Sequence, residues 1–308
     1  MDRTTDKPNP SVLPHSSAQA RAAAKINLFL AVRGRRTDGY HDIETVFLPL
    51  PELYDTITVE DFKQGEIAIA TDHPGLATDR SNLCWQAAHA FAESAGLTPA
   101  WRIMIDKRIP IAAGLGGGSA DAGATLRLLN QRYGLPLSKH RLKQTAGRLG
   151  ADVPFFLCPR VSLAGGIGDQ TEELTLNCDI PLILLNPGQA PLTAAWAYST
   201  VRNEFDQQSA KPLVEAMRAG DLKGIANNTY NRFDREVCRK MPLAALLVDF
   251  LTRQDCLAAH VSGSGPTVYG ICRDSEQAGQ IADAAKRHFD QSIWTWHGVA
   301  QAQTYSHD

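Results

Sequence analysis

The stretch Ile109-Pro110-Ile111-Ala112-Ala113-Gly114-Leu115-Gly116-Gly117-Gly118-Ser119-Ala120-Asp121-Ala122-Gly123 limits what this chain can fold into more than any other. Alternating apolar residues in Trp101-Arg102-Ile103-Met104-Ile105 lead into it with the period of a strand, and Ala122, Leu126, Leu129 and Tyr133 leave it at helical spacing. Glycines therefore sit where a strand gives way to a helix. Glycine lets backbone approach a ligand closely, and the first N–H groups of a helix lack partners inside it. An anion placed there meets several donors and the positive end of the helix dipole, and phosphate is the anion that best fits. No Lys follows the last glycine as a P-loop requires, and Ser119 stands where a dinucleotide fingerprint has its final Gly. Both common phosphate motifs are excluded. A tight turn with close packing is the other reading of the stretch taken alone.

At 308 residues and 44 % apolar composition the chain suits two domains or one large one, with ordinary cores. The net charge of -2, with both signs interspersed, excludes the basic stripe of a nucleic-acid binder. Any phosphate binding must then be local. The six cysteines, at 84, 158, 178, 238, 256 and 272, form no Cys-x-x-Cys pair or zinc spacing and read as reduced thiols. No apolar run approaches the roughly 20 residues needed to cross a bilayer. Residues 1–20, rich in Pro, Ser and polar groups, read as a disordered tail without a targeting signal, so a cytoplasmic setting is expected.

In Ala24-Lys25-Ile26-Asn27-Leu28-Phe29-Leu30, alternation puts Ile26, Leu28 and Leu30 on one strand face and Lys25 and Asn27 on the other. The second face is either solvated or functional. Asp38-Gly39 predicts a hairpin turn that delivers Tyr40 and His41, a pair suited to stacking on and hydrogen-bonding a flat ring or to half-buried packing. Short strands are predicted around 43–48, 56–60 and 66–70, and Ser81 or Asn82 can cap a helix ended by Gly96. A helix capped by Ser138 stops at Gly150, and Asp152 follows at once, as a cap for the next turn or as a rigidly held carboxylate. A composition shift places a domain boundary near residue 172, giving segments 21–172 and 173–308. In the second, Ser262-Gly263-Ser264-Gly265-Pro266-Thr267 lies between two strand patterns, as a hairpin connection or a loop that closes over a polar ligand.

Together, the Lys25 strand, Gly39-Tyr40-His41, Ile109 through Ala122, Gly150-Ala151-Asp152-Val153-Pro154 and Ser262 through Thr267, in that order, resemble the GHMP kinase superfamily. The name covers galactokinase, homoserine kinase, mevalonate kinase and phosphomevalonate kinase. The resemblance runs from about residue 21 to the end. It implies an α+β fold of two domains, with the ATP site in the N-terminal domain and the substrate in the cleft between them. It further implies a small-molecule kinase that transfers the ATP γ-phosphoryl group, with Mg2+, to the 2-hydroxyl of 4-diphosphocytidyl-2-C-methyl-D-erythritol. The expected partner is thus a small molecule carrying a cytidine diphosphate group, with no nucleic acid or membrane involved.

By the same carry-over Asp152 accepts the hydroxyl proton beside Lys25. Ala113, Gly114, Leu115, Gly116, Gly117, Gly118 and Ser119 hold the triphosphate, with Ser119 also a contact for Mg2+, and Asn82 and Lys107 lie near the nucleoside of ATP. Tyr40 and either Trp196 or Tyr198 would sandwich the cytosine, His41 would bond its edge, and Asn27 and Thr193 would lie close to the methylerythritol. Two departures stand out. Ala24 replaces the usual Pro, and the run from Thr193 to Tyr198 is one Ala longer than usual, which leaves the choice of ring open.

Overall fold

The structure, a computed structural model, describes residues 17–188, 192–202, 204–289 and 292–302. Most of the tail expected at 1–20 lies outside the described residues, and Ala18 to Ala20 already belong to the first strand, opposite Val59 to Ile57.

The first half runs β1 (Ala18–Arg35), β2 (His41–Asp61), β3 (Ile67–Thr71), α1 (Leu83–Ala95), β4 (Trp101–Asp106), α2 (Gly117–Arg132), α3 (Lys139–Gly147), a 3-10 turn (Phe155–Leu157), β5 (Ser162–Gly165) and β6 (Gln170–Glu173). The second runs β7 (Ile180–Asn186), α4 (Ala194–Ser199), α5 (Lys211–Ala219), α6 (Leu222–Asn227), β8 (Tyr230–Asn231), α7 (Asp234–Lys240), α8 (Pro242–Arg253), β9 (Ala258–Val261), β10 (Val268–Ile271), α9 (Ser275–Phe289) and β11 (Trp294–Ala300). Two sheets result. The first has the order β3-β4-β2-β1-β8, with β5 on β2 and β6 on β5, and the second β11-β7-β10-β9. The chain passes from one to the other between Glu173 and Ile180. Yet β8 returns to the first sheet and pairs in parallel with β1 at Phe29 and Leu30.

The long β1–β2 hairpin turns at Gly39, whose φ of 88° suits a residue without Cβ. From Ala24 to Val32 the side chains on β1 are buried on both faces, Lys25 and Asn27 included, so neither face is solvated there. Ile26, Leu28 and Leu48 of the first sheet share one core with Leu182, Leu184 and Tyr269 of the second. A separate core forms under the first sheet from Trp101, Phe91 and the inward face of α1 and α2. Among the described residues no helix is long and apolar enough to cross a membrane.

Helix α2 is buried nearly all round, which requires small residues along it. At Gly123 an added Cβ would lie 2.8 Å from Phe156 Cβ and 3.0 Å from its backbone carbonyl. Backbone cannot swing aside, so overpacking of about 1–3 kcal/mol should exceed the gain in helix propensity of about 0.8–1 kcal/mol from losing a glycine. Gly123→Ala is therefore expected to lower the urea unfolding midpoint; an unchanged or raised midpoint would contradict the packing argument.

Candidate active site

A cavity of about 990 Å3 opens between the β1–β2 hairpin, α4 and the two glycine loops. A smaller one, about 250 Å3, also borders the first glycine loop. Ala112, Gly114, Gly116 and Ser119 line both, so this loop is their common wall.

Lys25 enters the large cavity from β1. Its backbone N–H donates to the Leu115 carbonyl at 3.0 Å, which ties the strand to the glycine loop. Its ammonium donates to Asn27 Oδ1 at 2.6 Å and lies 3.6 Å from Asp152 Oδ2 and 5.1 Å from the Phe47 ring centre. Asn27 Nδ2 donates to Thr45 Oγ1 at 2.7 Å, and Thr45 in turn donates to the Phe29 carbonyl at 2.6 Å. This relay leaves Oδ1 as the only amide atom that can face Lys25. Burial lowers the Lys25 ammonium below its ordinary range, with the charge of Asp152 acting in opposition. Asp152 sits in the turn after α3 with its side chain 34 % exposed, a carboxylate open to the cavity.

The glycines have steric reasons. A Cβ on Gly116 would meet Phe156 Cζ at 2.6 Å and Lys25 Cε at 3.2 Å; one on Gly114 would meet the Ser262 carbonyl oxygen at 2.1 Å. Both residues have positive φ, 72° and 78°. The second glycine loop does connect a hairpin, β9 to β10, and it also docks on the first. Ser262 Oγ donates to the Gly114 carbonyl at 2.9 Å, and Thr267 N–H to that of Ala113 at 3.2 Å. Gly263 and Ser264 then complete the large cavity's wall.

At the far end stand Tyr40, 58 % exposed, and His41. His41 stacks on Tyr198 with ring centres 5.4 Å apart and planes 18° apart, and Tyr198 meets Phe233 nearly edge-on. One face of Tyr198 is therefore already covered by the imidazole. Burial, with the charge of Arg35 adding to it, lowers His41, and burial followed by the Asp152 charge raises the Tyr198 phenol. Thr193 caps α4 by accepting the Trp196 N–H at 3.1 Å. Two residues on a helix point about 200° apart. Tyr198 thus faces the cavity, and Trp196 turns away to pack against the core of the second sheet.

The smaller cavity is lined by Ala113, Gly117, Gly118, Lys107 and three apolar side chains, Leu76, Leu83 and Ile111. Asn82 and Leu115 are on neither wall. Asn82 is spent on α1, accepting the Cys84 N–H at 2.8 Å and donating to the Ala77 carbonyl at 2.7 Å. The Leu115 side chain belongs to the shared core and only its backbone serves the loop. Lys107 is buried, with its ammonium bonded to Asp55 Oδ2 and, at 2.7 Å, to Asp121 Oδ2. Burial pulls Lys107 down, but the two carboxylates outweigh it and the net shift is upward. Burial pushes the Asp121 carboxyl up to about 7 despite Lys107, with Asp55 beside it; its Oδ1 has no hydrogen-bond partner. Asp55 and Asp121 carry no local sequence signal, since an isolated Asp in a strand or helix ordinarily faces water. Phe47 and Thr45 are ordinary strand residues and Arg35 an ordinary hairpin-end cation, so they carry no local signal either, whereas small residues mark the second glycine loop.

The GHMP kinases N terminal domain matches residues 82–160, and GHMP kinases C terminal matches residues 213–291. The 4-diphosphocytidyl-2-C-methyl-D-erythritol kinase of Desulfitobacterium hafniense is 36% identical over 92% of this chain and 97% of its own length. That of Alkaliphilus metalliredigens is 34% identical over 84% of this chain and 89% of its own. A crystal structure of a 4-(cytidine 5'-diphospho)-2C-methyl-D-erythritol kinase superposes with a TM-score of 0.76 at 32% identity, covering 92% of this chain and 98% of that one.

The buried acidic pair makes stability depend on pH. An Asp whose folded pKa is raised contributes stability in full below its unfolded value near 4, and that contribution is lost as pH rises through the folded value. With Lys107, Asp55 and the Cys84 thiol around it, Asp121 places this loss on the way up to about pH 7. Urea unfolding at pH 5, 6, 7 and 8 should show a decline in stability that Asp121→Asn flattens; parallel curves for the two proteins would remove Asp121 as its source.

Proposed function

Because the chain belongs to the 4-diphosphocytidyl-2-C-methyl-D-erythritol kinases and has the two-domain GHMP kinase fold of mixed α and β content, we propose that it moves the ATP γ-phosphoryl group to the 2-hydroxyl of 4-diphosphocytidyl-2-C-methyl-D-erythritol, a step of the non-mevalonate route to isoprenoid precursors. The observation that carries this reading is the Lys25–Asp152 pair, 3.6 Å apart, in a cavity with a glycine loop at one wall and Tyr40, His41 and Tyr198 at the other end. Residues 21–172 supply the glycine loop and the reacting pair; residues 173–308 add Thr193, Tyr198, Phe233 and the second glycine loop. The six cysteines are unpaired thiols, which suits a reducing cytosol.

In this mechanism Asp152 accepts a hydrogen bond from the attacking hydroxyl and aims its oxygen at the γ-phosphorus. A water-like hydroxyl lies about twelve pKa units above a carboxylate, so full deprotonation before attack is strongly uphill. The proton therefore passes to Asp152 late, as the new O–P bond forms and the bond to the β-γ bridging oxygen breaks, releasing ADP. Lys25 offsets charge on the transferring oxygens. Asn27, fixed by Thr45, holds the Lys25 ammonium in place and is a polar contact for the methylerythritol beside Thr193. The free N–H groups at the start of α2 take phosphate oxygens, and the apolar walls of the smaller cavity take the adenosine end. Tyr40 stacks on the cytosine, and the exposed edge of the His41–Tyr198 pair meets its polar rim.

Among the described residues no cluster of three or more His, Cys, Asp or Glu forms a ready metal site. The Ser119 hydroxyl, on the wall of both cavities, is the hard oxygen donor that would hold a Mg2+ ion brought with ATP. When bound with ATP it supplies charge neutralisation of the triphosphate.

The test is an assay for ADP release with the purified cytidine substrate, beside mevalonate and homoserine as acceptors. Turnover confined to mevalonate or homoserine would overturn the substrate assignment. Asp152→Asn is expected to lower turnover by about 10²–10⁴-fold with ATP still bound; near-normal turnover would remove Asp152 from the chemistry. Stacking contributes ~1–3 kcal/mol per base, so Tyr40→Ala should raise the KM of the cytidine substrate about tenfold and leave that of ATP unchanged. Equal effects on the two would count against a cytosine role.

A further inference from the structure

The buried group Asp55, Lys107 and Asp121 does no chemistry in the mechanism above, yet it is the most heavily bonded charged cluster next to the glycine loop. Asp55, fully buried in β2, accepts the backbone N–H groups of Arg108 at 2.6 Å and Ile109 at 2.8 Å through Oδ1, and the Lys107 ammonium through Oδ2. Residues 107–109 are where the chain leaves β4 and enters the loop. Asp121, in the second turn of α2, takes the same ammonium at 2.7 Å. One ammonium thus joins the entry of the loop to its exit. It also fits closely under the loop, because a Cβ on Gly117 would lie 3.0 Å from Lys107 Nζ.

We propose that Asp55 and Asp121 are positioning residues for ATP, holding Lys107 between them so that the glycine loop keeps one width and its free N–H groups keep one direction. The proposal rests on the assignment of that loop to the triphosphate. Donors fixed before binding cost no ordering on binding, whereas a loop free at one end must be ordered by the ligand. The cluster is placed to do this and little else. It faces the smaller cavity through Lys107 alone, and it lies away from Tyr40, His41 and Asp152, none of which lines that cavity. Loss of either carboxylate therefore weakens the hold on ATP without touching the acceptor's contacts. Replacing Lys107 leaves two buried carboxylates without a counter-charge, which is costly by itself. In that background the removal of one carboxylate relieves the loop.

The experiment measures ATP binding to the full chain by titration calorimetry with no acceptor present, then KM for ATP, KM for the cytidine substrate and kcat. Asp121→Asn, which keeps shape, is expected to raise the ATP Kd and KM at least tenfold, with the cytidine KM and kcat within twofold of the parent. Placed on Lys107→Met, the same change should have no effect or should tighten ATP binding. Asp55→Asn should act like Asp121→Asn; if it fails to fold, Asp121→Asn alone decides. An unchanged ATP Kd in Asp121→Asn, or losses of both affinities in proportion to a fall in thermal stability, would overturn the proposal. If the parent itself binds no ATP, the loop assignment fails rather than the positioning role.

Discussion

A lysine ammonium withdrawn from water is the constraint around which this structure is arranged. Lys25 is 5 % exposed, and its burial alone favours loss of the proton. The surroundings answer with an amide oxygen, a carboxylate and an aromatic face. Each of these is itself held: Asn27 by Thr45, Asp152 by the turn that ends α3, and Phe47 by its place in β2 and its contact with Phe155. Such a group is expensive if any partner is missing, because an unmatched buried charge costs far more than a matched pair gains. The expense makes sense for a charge that must act on another charge in a site screened from water.

The same constraint ties the two sheets together. Lys25 lies on the strand whose apolar face shares a core with β7 and β10, and its backbone N–H holds the glycine loop. The glycine loop in turn carries the second glycine loop through Ser262 and Thr267. A shift of one sheet against the other would therefore disturb the ammonium, its amide partner and the loop at once. The floor of the cleft is held by hydrogen bonds from both sheets, whereas Tyr40 at its mouth is exposed.

Much of this was legible from residue order. The strand-to-helix passage at the glycines, the Asp38-Gly39 hairpin and the Asn82 and Ser138 caps are local patterns, and local patterns survive into the structure when nothing overrides them; the alternation from Ile26 does not, because a register shift between Asn27 and Phe29 sends Leu30 and Val32 to a different core from Ile26 and Leu28. What was not legible depended on partners far along the chain. Alternation alone leaves the Lys25 face solvated or functional, and only the packing of α2 and the second sheet buries it. Asn82 looks available for a nucleoside until it is seen to cap α1 and to line neither cavity. Trp196 and Tyr198 are equivalent aromatics until Thr193 sets the start of α4 and so the direction of each ring. Lys107 reads, by resemblance, as a neighbour of the ATP nucleoside, and Asp55 and Asp121, 66 positions apart in the chain, show nothing of the ammonium they share.

Glycine at 114 and 116 satisfies packing and chemistry by one property. Because each has no side chain, neighbouring groups press directly on the loop that both cavities share: Ser262 at Gly114, Phe156 and the Lys25 stem at Gly116. Under the proposed function, a nucleotide seated in the smaller cavity would carry its terminal phosphate along this loop into the larger one, where Lys25 and Asp152 stand. A wall with side chains would separate the phosphate from the hydroxyl by more than the ~3–3.5 Å that in-line attack requires. Close approach, rather than flexibility, is therefore what these glycines provide, and under the same proposal a loop lacking the P-loop lysine still suits phosphoryl transfer, because the cation comes from β1, with Lys25 in the larger cavity.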